Sequence, residues 1–257
     1  MSKSTNRFPL LLKFLITVSL ALPQICFSLV LPSNDGKQIY VYKSIEKGDA
    51  QIFQDILQNK DKNSKISLLV ILDSSGGSIE EAFKIGRIIR KEELSTLIPL
   101  DGSCLSSCVF ILAAGIHKTA AGKVGIHRPY FPIQTNIDAD SALKNIRKKT
   151  EDYLDEMNIP KSLADEMFSV NPHEIRYLKN SEKNKYRLDG EDIAHAENRT
   201  LRQLKWLGID RNEYIRRERI YKTKEESCIK KYPNLDLQTF ECTAKAKQEA
   251  GLVKNSP

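Results

Sequence analysis

The stretch Ile66 to Ser78 reads ISLLVILDSSGGS, and it decides the predicted fold. Its first part, Ile66 to Leu72, is a nearly continuous apolar run, which is typical of a central strand covered on both faces. Asp73 to Ser78 contains two adjacent glycines and predicts a turn at the carboxyl end of that strand. The next segment, Ile79 to Arg90, has helical spacing of its apolar residues and predicts a helix packed on the strand.

Strand and helix patterns alternate on both sides of this stretch. The predicted strands are Lys37–Tyr42, Ser95–Leu100 and Lys123–His127, and the predicted helices are Ala50–Gln58 and about Ser106–Ala114. Asn59 to Ser64 is a polar loop, and Asp101 to Ser107 is a turn of small residues. This alternation predicts an α/β core with right-handed crossovers.

The second half of the chain is mostly helical in pattern. Charged amphipathic helices are predicted at Ser141–Met157 and Lys161–Ser169. Past Thr200, glycines and apolar runs become rare, and two charged helices, Tyr214–Lys231 and Leu237–Ala250, follow around a proline. We therefore predict an export signal at residues 1–28, an α/β domain at 29–198 and a helical hairpin extension at 199–257.

Composition excludes two classes of protein. Of the 257 residues 40% are hydrophobic and 28% are charged, which is typical of a globular protein and not of a disordered one. The net charge is +7, and three of the cations lie in the first segment at Lys3, Arg7 and Lys13. The remaining basic residues are scattered, without the basic stripe interleaved with aromatic residues that nucleic-acid binding favours, so no nucleic acid is expected as a partner.

The amino terminus has the three parts of an export signal. Lys3 and Arg7 give a positive start, Phe14 to Leu22 is a short apolar run, Pro23 ends it, and Cys26-Phe27-Ser28 offers small residues for cleavage after Ser28. An uncleaved anchor, which would tether the protein to a membrane, and an amphipathic leader remain alternatives. The apolar run is short for a spanning helix, which needs about 20 residues.

Four cysteines follow the predicted signal. An even number in an exported protein favours disulfides, and the local pairing is Cys104 with Cys108 and Cys228 with Cys242. No CxxC pair is present, so neither a zinc site nor any other metal is expected.

Three turns carry the residues that could perform chemistry. Ser75-Gly76-Gly77 follows the central strand, and its amides could hold an oxyanion, although a plain turn is the alternative. The turn Gly102 to Cys108 holds Ser103, Ser106 and Ser107 at the mouth of an apolar helix, where a serine is either a nucleophile or a helix cap. His127 ends a predicted strand and could act as a base near neutral pH, or be structural.

In this order the motifs resemble those of a known family. Ile39 to Pro129 resembles the core of the Clp-type serine peptidases of the Clp/crotonase superfamily, through IYVY, SSGGSI, GSCLSSCVFILAAG and IHRP. The CxSxC form and the export signal are similar to bacterial periplasmic Clp-like proteins. The resemblance implies a Clp/crotonase-like α/β spiral of strand-helix units, here with an added helical hairpin, and a periplasmic location.

The resemblance also assigns roles to residues. Ser106 takes the position of the family's nucleophile and His127 that of its general base. The oxyanion hole would be formed by backbone amides of the Gly76-Gly77 turn and of Ser107.

The position of the third catalytic residue departs from the family pattern. Aligning IRYL at Ile175 to Leu178 puts Ile175 where the family has an aspartate. Glu174 is the neighbouring carboxylate and the candidate for this role. A Ser-His dyad, or a histidine oriented by a backbone carbonyl, is the alternative.

These residues predict an exported serine peptidase or hydrolase that cleaves peptides or unfolded proteins without a cofactor. Family analogy implies a homo-oligomer. One alternative is a non-catalytic Clp-like binding or scaffold protein. Another is a crotonase-type acyl-CoA enzyme, which would use the oxyanion hole without Ser106, although coenzyme A is not expected outside the cytoplasm.

Overall fold

A computed structural model of the chain describes residues 29–59, 68–130, 139–234 and 236–254. The predicted export signal at 1–28 and most of the predicted loop after Asn59 lie outside the described residues. The strands are β1 Leu29–Pro32, β2 Gln38–Ile45, β3 Leu69–Gly77, β4 Ser95–Ile98, β5 Ser103–Leu105, β6 His117–Ala120, β7 Lys123–Ile126, β8 Arg176–Tyr177 and β9 Gly190–Glu191. The helices are α1 Asp49–Gln58, α2 Ile79–Lys91, α3 Cys108–Ala114, α4 Ala139–Glu156, α5 Ser162–Ser169, α6 Asn180–Lys185, α7 Ile193–Leu207, α8 Arg211–Lys231 and α9 Leu237–Glu249.

The strands form one mixed sheet, which confirms the predicted α/β fold. Its main order is β8-β7-β5-β3-β4-β6-β9, and β2 pairs with β3 while carrying β1 on its other side. The pairings of β3 with β2, β4 and β5, and that of β5 with β7, are parallel, whereas the edge pairings of β1, β8 and β9 are antiparallel. As a result β3, β5 and β7 present their carboxyl ends on one side of the sheet.

The core lies between this sheet and a layer of helices. Every residue of α3 is buried, as an apolar helix requires when neighbours cover it on all sides. Tyr153 of α4 closes this layer: its hydroxyl donates to the carbonyl of Phe110, at 2.8 Å, and its ring stacks on Phe83. A side chain at Gly86 would collide with that hydroxyl, so this glycine permits the close approach of α2 and α4.

Several predicted boundaries differ from the structure. Asp73 to Gly77, predicted as a turn, is instead the last part of β3. It continues to pair with β2, whose register shifts by one residue between Lys43 and Ser44. The predicted helix from Ser106 begins at Cys108, and β5 precedes it. The short strands β1, β5, β6, β8 and β9 were not predicted, and β5 lies where a turn was expected, because two to four residues give little periodicity.

The carboxyl-terminal part is helical, as predicted. Cys228 and Cys242 form a disulfide that joins α8 to α9. The helix α7 was not predicted, and it runs across the proposed domain boundary between residues 198 and 199. Within the described ranges no helix combines the length and apolar character needed to cross a bilayer.

Candidate active site

Ser106 lies in the sharp turn between β5 and α3. Its φ is 57°, a left-handed conformation that non-glycine residues adopt rarely and at a cost. Two contacts maintain it: the Ser106 N–H donates to the carbonyl of Gly125, at 2.9 Å, and the disulfide between Cys104 and Cys108 brackets the turn. Such a strained strand-to-helix turn exposes the nucleophilic serine in other hydrolases.

The two other serines of this turn are less suited to be a nucleophile. The Ser103 hydroxyl donates to Asp73, at 3.3 Å, and that carboxylate also accepts from the Ser103 N–H. Ser107 is buried, and its hydroxyl has no partner among the residues that the structure describes. Ser106 is half-buried, and none of the hydrogen bonds within the described ranges engages its hydroxyl.

His127 follows β7, the parallel neighbour of β5. In that pairing Leu105 is level with Gly125, so Ser106 and His127 both lie just beyond the carboxyl ends of adjacent strands. Nδ1 of His127 lies 2.8 Å from the carbonyl oxygen of Arg128. Because a carbonyl oxygen only accepts, Nδ1 is the donor in this contact, and the neutral imidazole therefore has its lone pair on Nε2.

The predicted third residue is not brought to this histidine. Glu174 is exposed, and in the described part of the chain no hydrogen bond or ion pair joins it to His127. The acceptor of the Nδ1 proton is instead the carbonyl of Arg128, whose own N–H donates to Val170 at the end of α5. The sequence contains no signal for this contact, because any residue supplies a carbonyl.

The glycine pair lies at the end of β3, beside β5. A Cβ on Gly76 would stand 2.7 Å from Cβ of Ser106 and 3.0 Å from the amide nitrogen of Ser107, so the backbone of Gly76 lies directly against the serine turn. A Cβ on Gly77 would instead collide with the backbone of Ile45, so this glycine allows the close pairing of β3 with β2.

Two of the predicted oxyanion donors, the amides of Gly76 and Ser107, differ in availability. The Gly76 N–H donates to Ser74 Oγ, at 3.1 Å, and that hydroxyl donates to the carbonyl of Lys43, at 2.6 Å. The Ser107 N–H has no acceptor within the described ranges. Sequence reasoning missed Ser74, because a serine in a polar turn carries no specific signal.

Comparisons with known proteins identify the family of the chain. The family model described as Clp protease matches residues 28–162, just over half of the chain. A solved structure of a ClpP1 mutant from Listeria monocytogenes is similar at 16% identity with a TM-score of 0.48, covering 60% of this chain and 90% of that one. No curated protein matches the chain. The extent of the family match shows that the chain belongs to the Clp protease family, whose members are peptidases of the serine type.

Proposed function

We propose that this protein is an exported serine peptidase in which Ser106 is the nucleophile and His127 the general base. The observation that carries the proposal is the left-handed conformation of Ser106, at φ 57°, beside β7, the strand that His127 follows. A backbone strained at a reactive side chain points to function, because such strain is kept where the surroundings enforce it.

In the proposed mechanism His127 acts without a carboxylate. Nε2 takes the proton from Ser106 Oγ as the oxygen attacks the carbonyl carbon of the scissile peptide. The positive imidazole that results is stabilised by the hydrogen bond from Nδ1 to the Arg128 carbonyl. Nε2 then returns the proton to the leaving amine, and water releases the acyl group by the same steps.

The negative oxygen of the tetrahedral intermediate would be held by backbone amides. The Ser107 N–H is available to it, whereas the Gly76 N–H must be shared with Ser74 Oγ. A single oxyanion donor contributes about 3 kcal/mol to transition-state stabilisation. We therefore expect slow turnover, limited by a partly engaged oxyanion hole and a histidine without a carboxylate.

The disulfides support the proposed compartment, and the family supports the proposed substrate and assembly. Both predicted disulfides, Cys104–Cys108 and Cys228–Cys242, are present, and disulfides persist in oxidising compartments such as the periplasm. We propose peptides or unfolded proteins as substrates, and a homo-oligomer as the assembly. The signal is tested by sequencing the amino terminus of protein from the periplasmic fraction, with Leu29 expected first, and the assembly by light scattering.

The catalytic assignment is tested with a fluorophosphonate probe, which phosphonylates activated serines. Native protein with intact disulfides should be labelled, with the adduct located on Ser106 by mass spectrometry. Ser106→Ala should abolish labelling, whereas Ser103→Ala, a matched change in the same turn, should retain it. Labelling of heat-denatured protein, or labelling that survives Ser106→Ala, would contradict the assignment.

A non-catalytic Clp-like binding protein is the second candidate. The observation that favours it is the backbone carbonyl at His127 Nδ1, where the family has a carboxylate. In that case unfolded polypeptide should bind equally well to the native protein and to Ser106→Ala, and neither should react with the probe.

A further inference from the structure

Three side chains that can bind metals meet at the sheet edge formed by β6 and β9. His117 begins β6, Glu191 ends β9, and His195 lies in the first turn of α7. His195 Nδ1 lies 3.1 Å from Glu191 Oε1, and His117 Nε2 lies 3.8 Å from the same oxygen. One donor atom from each residue lies within 4.8 Å of the other two.

The separations between these donor atoms are close to those between ligand atoms around a bound metal ion. A tetrahedral zinc ion with bonds of about 2.0–2.1 Å holds its ligand atoms about 3.4 Å apart, so small side-chain rotations would close the set. Two imidazoles and a carboxylate suit zinc and its first-row neighbours, whereas magnesium and calcium prefer oxygen ligands alone. The ligand types therefore select a class of metal as well as a geometry.

The backbone holds the three residues in place before any metal binds. His117 and Glu191 are direct partners in the antiparallel pairing of β6 with β9. Asp192, the buried residue after Glu191, caps α7 by accepting from the N–H of His195, at 3.0 Å, and pairs with Arg90, at 2.9 Å. Side chains on a fixed backbone lose little freedom on binding, which favours affinity.

The surroundings keep the site charged and reachable. Arg199 holds both oxygens of the Glu191 carboxylate, with Nε donating to Oε1 at 3.1 Å and Nη2 donating to Oε2 at 2.7 Å. The Nη2 bond to Oε2 is of the kind that the outer partner of a metal ligand makes, whereas a metal bound at Oε1 would replace the longer bond from Nε. The His117 side chain is 51% exposed, which leaves a path from solvent and room for a water ligand.

We propose that His117, Glu191 and His195 bind Zn²⁺ or a similar divalent first-row transition metal, fastening the start of α7 to the sheet. For His195 to bind through Nδ1, the proton of its neutral imidazole moves to Nε2 by exchange with solvent, and the hydrogen bond to Glu191 Oε1 is replaced by bonds from both atoms to the metal. The site lies at the opposite end of the sheet from β7, so the proposal does not depend on the peptidase activity. The sequence predicted no metal, because His117 lies far along the chain from Glu191 and His195.

Calorimetric titration of tag-free, full-length mature protein with ZnCl₂ tests the site. One equivalent should bind, and excess Mg²⁺ or Ca²⁺ should not displace it. Removing even an outer partner of a ligand weakens metal binding about 10- to 100-fold, so His195→Ala and Glu191→Gln should each lose at least about tenfold in affinity. His173→Ala, which removes an exposed histidine near the other sheet edge, should bind as the native protein does.

A spectroscopic readout separates this site from adventitious binding. Cu²⁺ bound to the native protein should show electron paramagnetic resonance splitting from two imidazole nitrogens, reduced to one in His117→Ala. His117 is exposed, so that variant should fold normally, which circular dichroism in the presence of a chelator checks. Absence of zinc binding to the native protein, or affinity unchanged in both His117→Ala and His195→Ala, overturns the proposal.

Discussion

The Cγ2 methyl of Ile175 covers Gly125, lying 2.6 Å from where a Cβ of residue 125 would stand. In the ladder of β7 with β8, Gly125 is level with Tyr177 and Ile126 with Arg176. Continuing this register by one residue places Ile175 opposite His127. An apolar residue thus takes the register position opposite His127, where the family resemblance leads one to expect an aspartate.

Ile175→Asp should therefore increase the reactivity of Ser106. A carboxylate opposite His127 can replace the Arg128 carbonyl as the acceptor of the Nδ1 proton and stabilise the imidazolium. Loss of the orienting carboxylate lowers the catalytic rate about 10⁴-fold in the best-studied triad. We therefore expect fluorophosphonate labelling of Ile175→Asp to be at least about tenfold faster than that of the native protein. Ile175→Asn has the same shape without the charge, and equal acceleration in both variants would argue against an electrostatic cause.

Gly76→Ala should displace the serine turn. The new Cβ would stand 2.6 Å from the carbonyl oxygen of Leu105 and 2.7 Å from Cβ of Ser106. A displacement of about 1 Å at a reacting group costs about a hundredfold in rate, so labelling should fall by at least that factor.

Gly48→Ala is the matched control for this change. Gly48 also has a positive φ, 105°, but a Cβ there would meet no atom within 4 Å. Both variants should lose about 1–3 kcal/mol in free energy of unfolding, measured in urea, because both force alanine into a left-handed backbone. Slow labelling in Gly48→Ala as well would show that global destabilisation, rather than the contact with Ser106, is responsible.

The two disulfides should open in a fixed order under native conditions. Cys104 and Cys108 are fully buried, whereas Cys242 is partly exposed, and thiol exchange requires access to a sulfur. Titration with a mild reductant, followed by alkylation and mass spectrometry, should detect free Cys242 first.

The reactivity of Ser106 should be lost when Cys104–Cys108 opens and not when Cys228–Cys242 opens. Opening Cys228–Cys242 should leave labelling of Ser106 unchanged, because that disulfide joins only α8 and α9. Opening Cys104–Cys108 should slow labelling, because that disulfide brackets the Ser106 turn. Equal labelling of fully oxidised and fully reduced protein would exclude redox control of the site.

Asp192→Asn should destabilise the protein in a pH-dependent manner. Burial raises the pKa of Asp192, but hydrogen bonds from Arg90, the His195 N–H and Asn158 outweigh it and lower the pKa below 3.8. The stabilisation by the ionised form is complete above the unfolded pKa of about 3.9 and is lost as the pH falls through the folded value. Breaking a buried pair costs about 3 kcal/mol at pH 7, and urea unfolding should show this difference shrinking below about pH 4.

Asp155→Asn removes an exposed carboxylate that lies 3.7 Å from Lys161. Exposed ion pairs contribute little to stability, so the free energy of unfolding of Asp155→Asn should change by less than about 0.5 kcal/mol, both at pH 7 and below about pH 4. An equal loss in Asp155→Asn and Asp192→Asn would contradict the role given to burial.

The sequence determined the features that depend on neighbours along the chain. The apolar run before Asp73 predicted the central strand, because a strand covered on both faces needs apolar side chains at every position. Helical spacing predicted α2 to within one residue of its observed end. The cysteine count predicted both disulfides, and the order of the motifs indicated the Clp protease family.

Tertiary structure alone decided which groups surround His127 and which residues meet at the sheet edge. The Ile175 methyl lies over Gly125 because β8 pairs with β7, and a strand of two residues leaves no pattern in the sequence. The meeting of His117 with Glu191 depends likewise on β9 pairing with β6. Local periodicity reports which side of an element is buried, whereas contacts between distant segments depend on how the sheet is ordered.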